Sequence, residues 1–255
     1  VMEYLGSAKA EISKVEHVEE QIEELEEKIS GKEKLLSQLA AKISRSRQEA
    51  AKTLTTDIEA LLEKLQMKSA HFRTQFQWVP QAGGLQVEGQ ELSFDATGVD
   101  KVEFLIETNP GEGFKPLARI ASGGETSRLM LALKHVLAQA DQIPTLVFDE
   151  IDSGIGGRVG MTVGTLLWEL AREHQVMCVT HLPQLAAFGD QHFHVSKEER
   201  GGRTVTSVAE LISERRQQEL ASMIGPLRPG TLQTAGEILS SVAEITGKIR
   251  HNRRE

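Results

Sequence analysis

The sequence predicts an α/β protein with a parallel-sheet core, preceded by a long coiled-coil helix. Three observations predict it. Residues 1–68 contain no proline and carry apolar side chains in steps of three and four, the spacing of a coiled-coil seam. Two runs of strand-forming residues, 145–148 and 175–180, flank a helical stretch at 158–173, the pattern of parallel strands joined by a crossover helix. The first run stops at two adjacent carboxylates, Asp149 and Glu150, at the sheet edge where open α/β folds place their ligands.

The seam comes first in the chain. Val15, Val18, Ile22, Leu25, Ile29, Leu36, Leu39 and Ile43 form the stripe, with Lys32 and Ser46 at two of its positions and Ala50 extending it. Leu54, Ile58, Leu61 and Leu65 resume it after a four-residue shift, a stutter. Glu19, Glu20, Glu23, Glu24 and Lys28 supply the charged outer face. A helix of this length would run about 90–100 Å. Ser30-Gly31 reads as a tolerated weak spot, because the heptad phase holds across it. Such a seam must face a second helix, and the chain offers none of similar length. The partner helix is therefore expected in another chain or in a further part of the same protein.

Composition narrows the function classes. The net charge of −8 and a pI near 5.6 exclude a generally basic, DNA-coating surface. The cluster His251-Asn252-Arg253-Arg254 reads as a frayed end rather than a binding site. Cys178 is the sole cysteine, which excludes an intrachain disulfide and a Cys-rich metal site. No apolar run approaches the roughly 20 residues of a membrane span. The expectation is a cytoplasmic protein with no membrane contact.

Beyond residue 69 the pattern changes to that of a globular domain. Residues 71–79 alternate and carry aromatics, as a strand would; 80–84 read as a turn, 92–94 as a short strand, 101–108 as a firmer one and 109–113 as a loop. Ser122 is a good N-cap for a helix over 125–139, with Gly123 and Gly124 letting an anion approach the backbone N–H groups. After the carboxylates, residues 152–157 read as a flexible turn. The strand 175–180 ends at His181, so Asp149, Glu150 and His181 are expected on one edge. A carboxylate there can hold Mg²⁺, directly or through water, beside a nucleotide phosphate. A second can orient or deprotonate an attacking water. Residues 182–188 read as a short helix, 192–197 and 203–211 as strands, 214–224 and 232–249 as helices. His192 and His194 have a spacing that could bind metal, but with no further ligand near in sequence they read as surface histidines.

Taken in order, these pieces resemble the ABC-type ATPases. Ser122-Gly123-Gly124-Glu125 is similar to the signature motif, Leu146 to Glu150 to the Walker B strand with its glutamate, Asp152 to Gly157 to the D-loop, and His181 to the switch histidine. A coiled-coil arm entering just before them resembles the SMC branch. More narrowly, residues 114–125, 147–155 and 179–184 resemble the RecN family of DNA-repair ATPases. Thr126 stands where the wider pattern has Leu, and Gly156 where many D-loops end in Asp. No G-x-x-x-x-G-K-[ST] phosphate loop occurs in the chain.

The resemblance implies the C-terminal lobe of an SMC-type P-loop NTPase head over residues 69–255, entered by a returning arm over 1–68. It implies ATP and Mg²⁺ as cofactors, with Asp149 on the metal and Glu150 and His181 catalytic. Ser122, Gly123, Gly124, Glu125, Asp152, Ser153 and Gly154 would meet nucleotide across a homodimer of ATP-sandwiched heads. The implied partners are DNA and an N-terminal lobe carrying the phosphate loop. The implied process is recombinational double-strand-break repair in a bacterial nucleoid, with this stretch inactive alone. Two other readings remain open: a structural coiled-coil protein with a non-hydrolysing head, and an ATPase subunit of an ABC transporter.

Overall fold

The computed structural model describes residues 2–119, 123–138, 140, 142–200 and 202–252; side chains are described for these except 2–16, 200 and 248–252. Packing divides the chain into two compact units, Val1–Thr53 with Arg73–Phe104, and Leu54–Phe72 with Leu105–Glu255.

Helix α1, Met2–Lys64, runs unbroken through Ser30-Gly31. Gly31 has open space where a Cβ would stand, so its only cost is helix propensity, about 1 kcal/mol relative to Ala. The helix stops where Gln66 turns left-handed (φ 61°) and the Met67 N–H bonds back to Leu62 O at 2.8 Å, a C-terminal cap. The seam residues Val18, Ile22, Leu25, Ile29, Leu36, Leu39 and Ile43 are all exposed, as a stripe built for another helix would be.

In the first unit, β1 (His71–Gln77), β2 (Pro80–Val87), β3 (Gln90–Leu92) and the start of β4 (Lys101–Glu107) follow. The expected turn at 80–84 is instead the irregular opening of β2, where the pairing with β3 shifts between Pro80 and Leu85. Pro80 begins the strand, Gly83 takes φ 71° and the extra residues bulge, the place sheets tolerate Pro and Gly. Glu88 and Gly89, both at positive φ, make the two-residue hairpin. Ala40 of α1, Leu85, Val87, Leu92 and Val99 form one core with Trp78 against it. Asp100 ties this unit together. It accepts from Ser44 Oγ at 2.7 Å, Trp78 Nε1 at 2.9 Å and Arg47 Nη1 at 3.1 Å. Burial would raise its pKa, but those bonds and the guanidinium charge outweigh burial and hold it below the ordinary value.

The second unit holds the α/β part. The end of β4 pairs antiparallel with β5 (Lys115–Pro116). Then come α2 (Gly123–Leu137), β6 (Thr145–Phe148), α3 (Gly157–Leu170) and β7 (Gln175–Cys178). A single turn α4 (Pro183–Ala186), the hairpin β8 (Phe193–Arg200) and β9 (Arg203–Glu210), and helices α5 (Ser213–Ile224) and α6 (Pro229–Asn252) complete it. Trp168, Phe188, Leu220, Ala221, Ala235 and Val242 pack into one core within this unit. Arg216 staples α5 to the end of α4 by donating to Ala187 O at 2.9 Å and Gly189 O at 2.6 Å.

Two expectations are corrected here. Apolar runs such as 145–148 and 175–180 read as buried strands of a parallel sheet. Leu146 and Phe148 are buried, but Val147 is 67% and Val179 62% exposed, and Met177 is exposed beside them. Among the described residues this sheet has two strands, and the face carrying Val147, Met177 and Val179 is exposed. His192 is half-buried rather than on the surface, whereas the His194 side chain stays 42% exposed with Nδ1 2.9 Å from Glu219 of α5. Burial, with Arg216 nearby, pulls the pKa of His192 down. Among the described residues no cluster of His, Cys, Asp or Glu could enclose a metal ion.

Candidate functional site

β6 and β7 pair in parallel, Thr145 with Gln175 through Phe148 with Cys178, and the ladder runs one step further as the Val179 N–H bonds to Phe148 O at 2.9 Å. Both strands therefore end at the same edge, with α3 as the crossover between them. Asp149 and Glu150 leave the first strand there, and Thr180 and His181 leave the second. Asp149 and Glu150 are both exposed.

Glu150 turns the chain in the left-handed region, φ 55°, which costs a side-chain-bearing residue about 1–2 kcal/mol. The neighbourhood holds it there. Asp149 Oδ1 accepts the Glu150 N–H at 2.9 Å, Ser127 Oγ donates to Asp149 O at 2.7 Å, and Arg128 Nη1 donates to Ser153 O at 2.8 Å. Arg128 is 7% exposed; burial draws its pKa down while nearby Glu125 opposes that. Helix α2 thus clamps the turn through two polar residues of its second turn. Sequence reasoning missed both. Ser127 and Arg128 follow the motif that drew attention, and nothing in their spacing marks them.

Packing brings the first turn of α2 against the same turn. A Cβ on Gly123 would overlap Glu150 Oε2 and stand 3.3 Å from its Cδ. A Cβ on Gly124 would stand 2.8 Å from Ser153 Cβ, 3.0 Å from Ser153 O and 3.1 Å from Glu150 O. Gly124 requires glycine because another backbone approaches it, whereas Gly123 is met only by the Glu150 side chain. Glu125 is half-buried and Gly154, φ 73°, makes the exposed bend after Ser153. Ser122, the expected cap, lies outside the described residues.

Asp152 does not stand where the sequence reading put it. Expected to meet nucleotide, its side chain is 4% exposed and faces inward. Its Oδ2 accepts from Thr180 Oγ1, from the His181 N–H at 2.8 Å, and lies 3.0 Å from His181 Nδ1. The Leu182 N–H bonds to Thr180 Oγ1 at 3.0 Å, closing the turn. The His181 side chain is itself 73% exposed. At Cys178, just below, burial first, then Asp152 and Asp149, push the thiol pKa up to about 12, which disfavours the thiolate.

The donor set suits a hard cation beside phosphate rather than an enclosed metal. Asp149 spends one oxygen on the turn and keeps the other, and no second and third ligand converge on it among the described residues. One carboxylate with water and phosphate oxygens is how proteins usually hold Mg²⁺. The N-terminus of α2 is the positive end of a helix, which favours an anion.

Comparison with known proteins gives a consistent answer at the level of sequence. No family model matches the chain. It is similar to the DNA repair protein RecN of Halalkalibacterium halodurans, 36% identical over 247 residues, covering 96% of this chain and 42% of that protein. It is similar also to RecN of Bacillus subtilis, 34% identical over 250 residues, covering 96% and 43%. The chain thus spans less than half the length of these relatives. Among solved structures, an Smc head domain with an extended coiled coil from Pyrococcus furiosus aligns with 70% of this chain and 39% of that one, at 21% identity and a TM-score of 0.43.

Proposed function

Because the chain is homologous to the RecN DNA repair proteins over nearly all of its own length, we propose that it carries the acidic and signature-bearing part of an ATPase head. The observation that carries the reading is the shared edge: two exposed carboxylates and an exposed histidine at the ends of paired parallel strands, with a glycine-opened helix start against them. Asp149 holds Mg²⁺, directly or through water. Glu150 orients or deprotonates the attacking water. Gly123 and Gly124, with Ser122 and Glu125 beside them, receive the γ-phosphate of nucleotide held by a second copy, and Ser153 and Gly154 line the seam between the copies. His181 senses that phosphate. Bound Mg²⁺·ATP supplies the phosphoryl group to be transferred and the cation that offsets its charge.

Two features support partners outside these 255 residues. The exposed apolar face of β6–β7, with Val147, Met177 and Val179, suits coverage by a lobe bearing the phosphate loop, which this sequence lacks. The exposed stripe of α1 suits a second arm helix. Heads that close on nucleotide and open after hydrolysis, at the base of such arms, would tether DNA segments during double-strand-break repair. That motion is a population shift that requires different affinities of the two states for nucleotide. Among the described residues no helix is long and apolar enough to cross a membrane.

The full-length protein should hydrolyse ATP, Glu150→Gln should retain bound ATP without turnover, and the 255-residue chain alone should turn over almost none. Hydrolysis at the wild-type rate by Glu150→Gln would remove the water-activating role from that residue. Substantial turnover by the chain alone would refute the need for a second lobe.

A further inference from the structure

Arg128 is a cation inside the protein with no acid to match it. It is 7% exposed, and its enclosed Nε has no hydrogen-bond partner among the described residues. No carboxylate of those residues forms an ion pair with it; Glu125 acts on it only at longer range. A buried charge left unpaired is costly, and a turn that needed only a donor could take a neutral one. The guanidinium serves one carbonyl above all: Nη1 donates to Ser153 O at 2.8 Å, with Ile151 O further off at 3.5 Å. The peptide bonds of the chain are trans, and across a trans peptide the C=O and the following N–H point to opposite sides. Drawing Ser153 O inward therefore turns the Gly154 N–H outward. Gly154 is exposed, and that N–H has no partner among the described residues. We propose that Arg128 is a positioning residue: it holds the Ser153–Gly154 peptide so that the Gly154 N–H is presented as a donor to a phosphate oxygen of nucleotide carried by a second copy. This rests on the two-copy reading above for the acceptor, and on the geometry alone for the donor.

The donor lies next to the start of α2. A Cβ on Gly124 would stand 3.0 Å from Ser153 O and 2.8 Å from Ser153 Cβ, so this peptide and the first turn of the helix share one patch. The turn is fixed on either side of it. The Ser153 N–H bonds to Glu150 O at 3.0 Å and the Ile155 N–H to Asp152 O at 3.3 Å. Of three successive N–H groups, the middle one alone is left unused by the turn. The charge on Arg128 has a consequence at that N–H. A charged donor on the carbonyl polarises the peptide, and hydrogen bonds in such a chain strengthen one another. A phosphate oxygen at the Gly154 N–H would also bring negative charge to the far end of the peptide whose near end holds the guanidinium. Both groups are in place before the ligand arrives, which is the advantage of a preorganised site. A role confined to fixing the turn would require neither a charge at this depth nor a free N–H on the outer side.

The test uses the full-length protein. Copies should associate when a non-hydrolysable ATP analogue and Mg²⁺ are added, and association should slow exchange of the Gly154 amide hydrogen by about tenfold or more. Mass spectrometry of fragments ending on either side of Gly154 reads that exchange. Arg128→Met keeps the bulk but not the donor. It should weaken the analogue-driven association by about tenfold or more, while analogue binding by separated copies, measured at low protein concentration, stays within about twofold of wild type. A merely structural role, lowering the folded fraction, would move both measurements together. Arg128→Lys keeps a charged donor and should weaken association less than Arg128→Met does. The same loss in both variants overturns the proposal, as does association of Arg128→Met within about twofold of wild type. If neither variant folds, the wild-type protein decides: a Gly154 amide that exchanges no more slowly in the associated copies overturns it. Failure of wild-type copies to associate with the analogue would instead remove the two-copy reading, and this proposal with it.

Discussion

Replacing Gly123 and Gly124 by alanine, one at a time, separates two kinds of close approach at the start of α2. Each substitution gains helix propensity, up to about 1 kcal/mol. At Gly123 the new methyl meets only the end of the Glu150 side chain, which can swing aside. Gly123→Ala should therefore leave stability unchanged or raise it by up to about 1 kcal/mol, while displacing the carboxylate. At Gly124 the methyl meets Ser153 Cβ at 2.8 Å and two backbone oxygens at 3.0 and 3.1 Å. Those belong to a turn already fixed by Arg128 and by the bonds around Asp149, so it cannot yield cheaply. Overpacking of this kind costs about 1–3 kcal/mol, which exceeds or cancels the propensity gain. The net expectation for Gly124→Ala is a loss of about 0–2 kcal/mol. Ser153→Gly in the same chain should recover part of it by removing the closest atom. Urea denaturation followed by tryptophan fluorescence and far-UV circular dichroism would read the order. A Gly124→Ala chain more stable than Gly123→Ala would refute the packing of α2 on the carboxylate turn.

Other substitutions report on separate parts. Gly31→Ala, with open space at its Cβ, should stabilise α1 by about 1 kcal/mol, seen as a higher melting temperature of the helical signal. Arg128→Met removes the charged donor to Ser153 O and should cost about 1.5–3 kcal/mol in denaturant titrations, with faster proteolysis near 150–155. Asp100 contributes stability that is fully present above its unfolded pKa, near 3.8, and lost as pH falls through its lower folded value. Asp100→Asn should therefore flatten the acid limb of unfolding below about pH 4. The Cys178 thiol, with its pKa pushed up to about 12, should react with iodoacetamide at pH 8 far more slowly than the same chain in urea.

The elements most legible in the sequence were those fixed by local pattern. The arm could be read because heptad spacing and the absence of proline act within a few residues of each other. The α2 start, the β6 strand and the crossover to β7 could be read for the same reason, and parallel pairing then follows from the handedness of the connection. That Asp149, Glu150 and His181 share an edge is a consequence of order and topology, which the sequence carries.

What the sequence alone could not decide was where polar side chains spend their hydrogen bonds. Asp152 reads as one more exposed acid in a motif; only its approach to Thr180 and His181, 28 and 29 residues away, turns it inward. Arg128 and Ser127 are unremarkable on a helical wheel until α2 lies on the carboxylate turn. Burial of the two strands was misjudged because a run of apolar residues specifies that a face can be covered, not what covers it. Local spacing is set by the backbone's own periods, whereas such contacts depend on which elements meet in space, and that is settled only when the chain is packed.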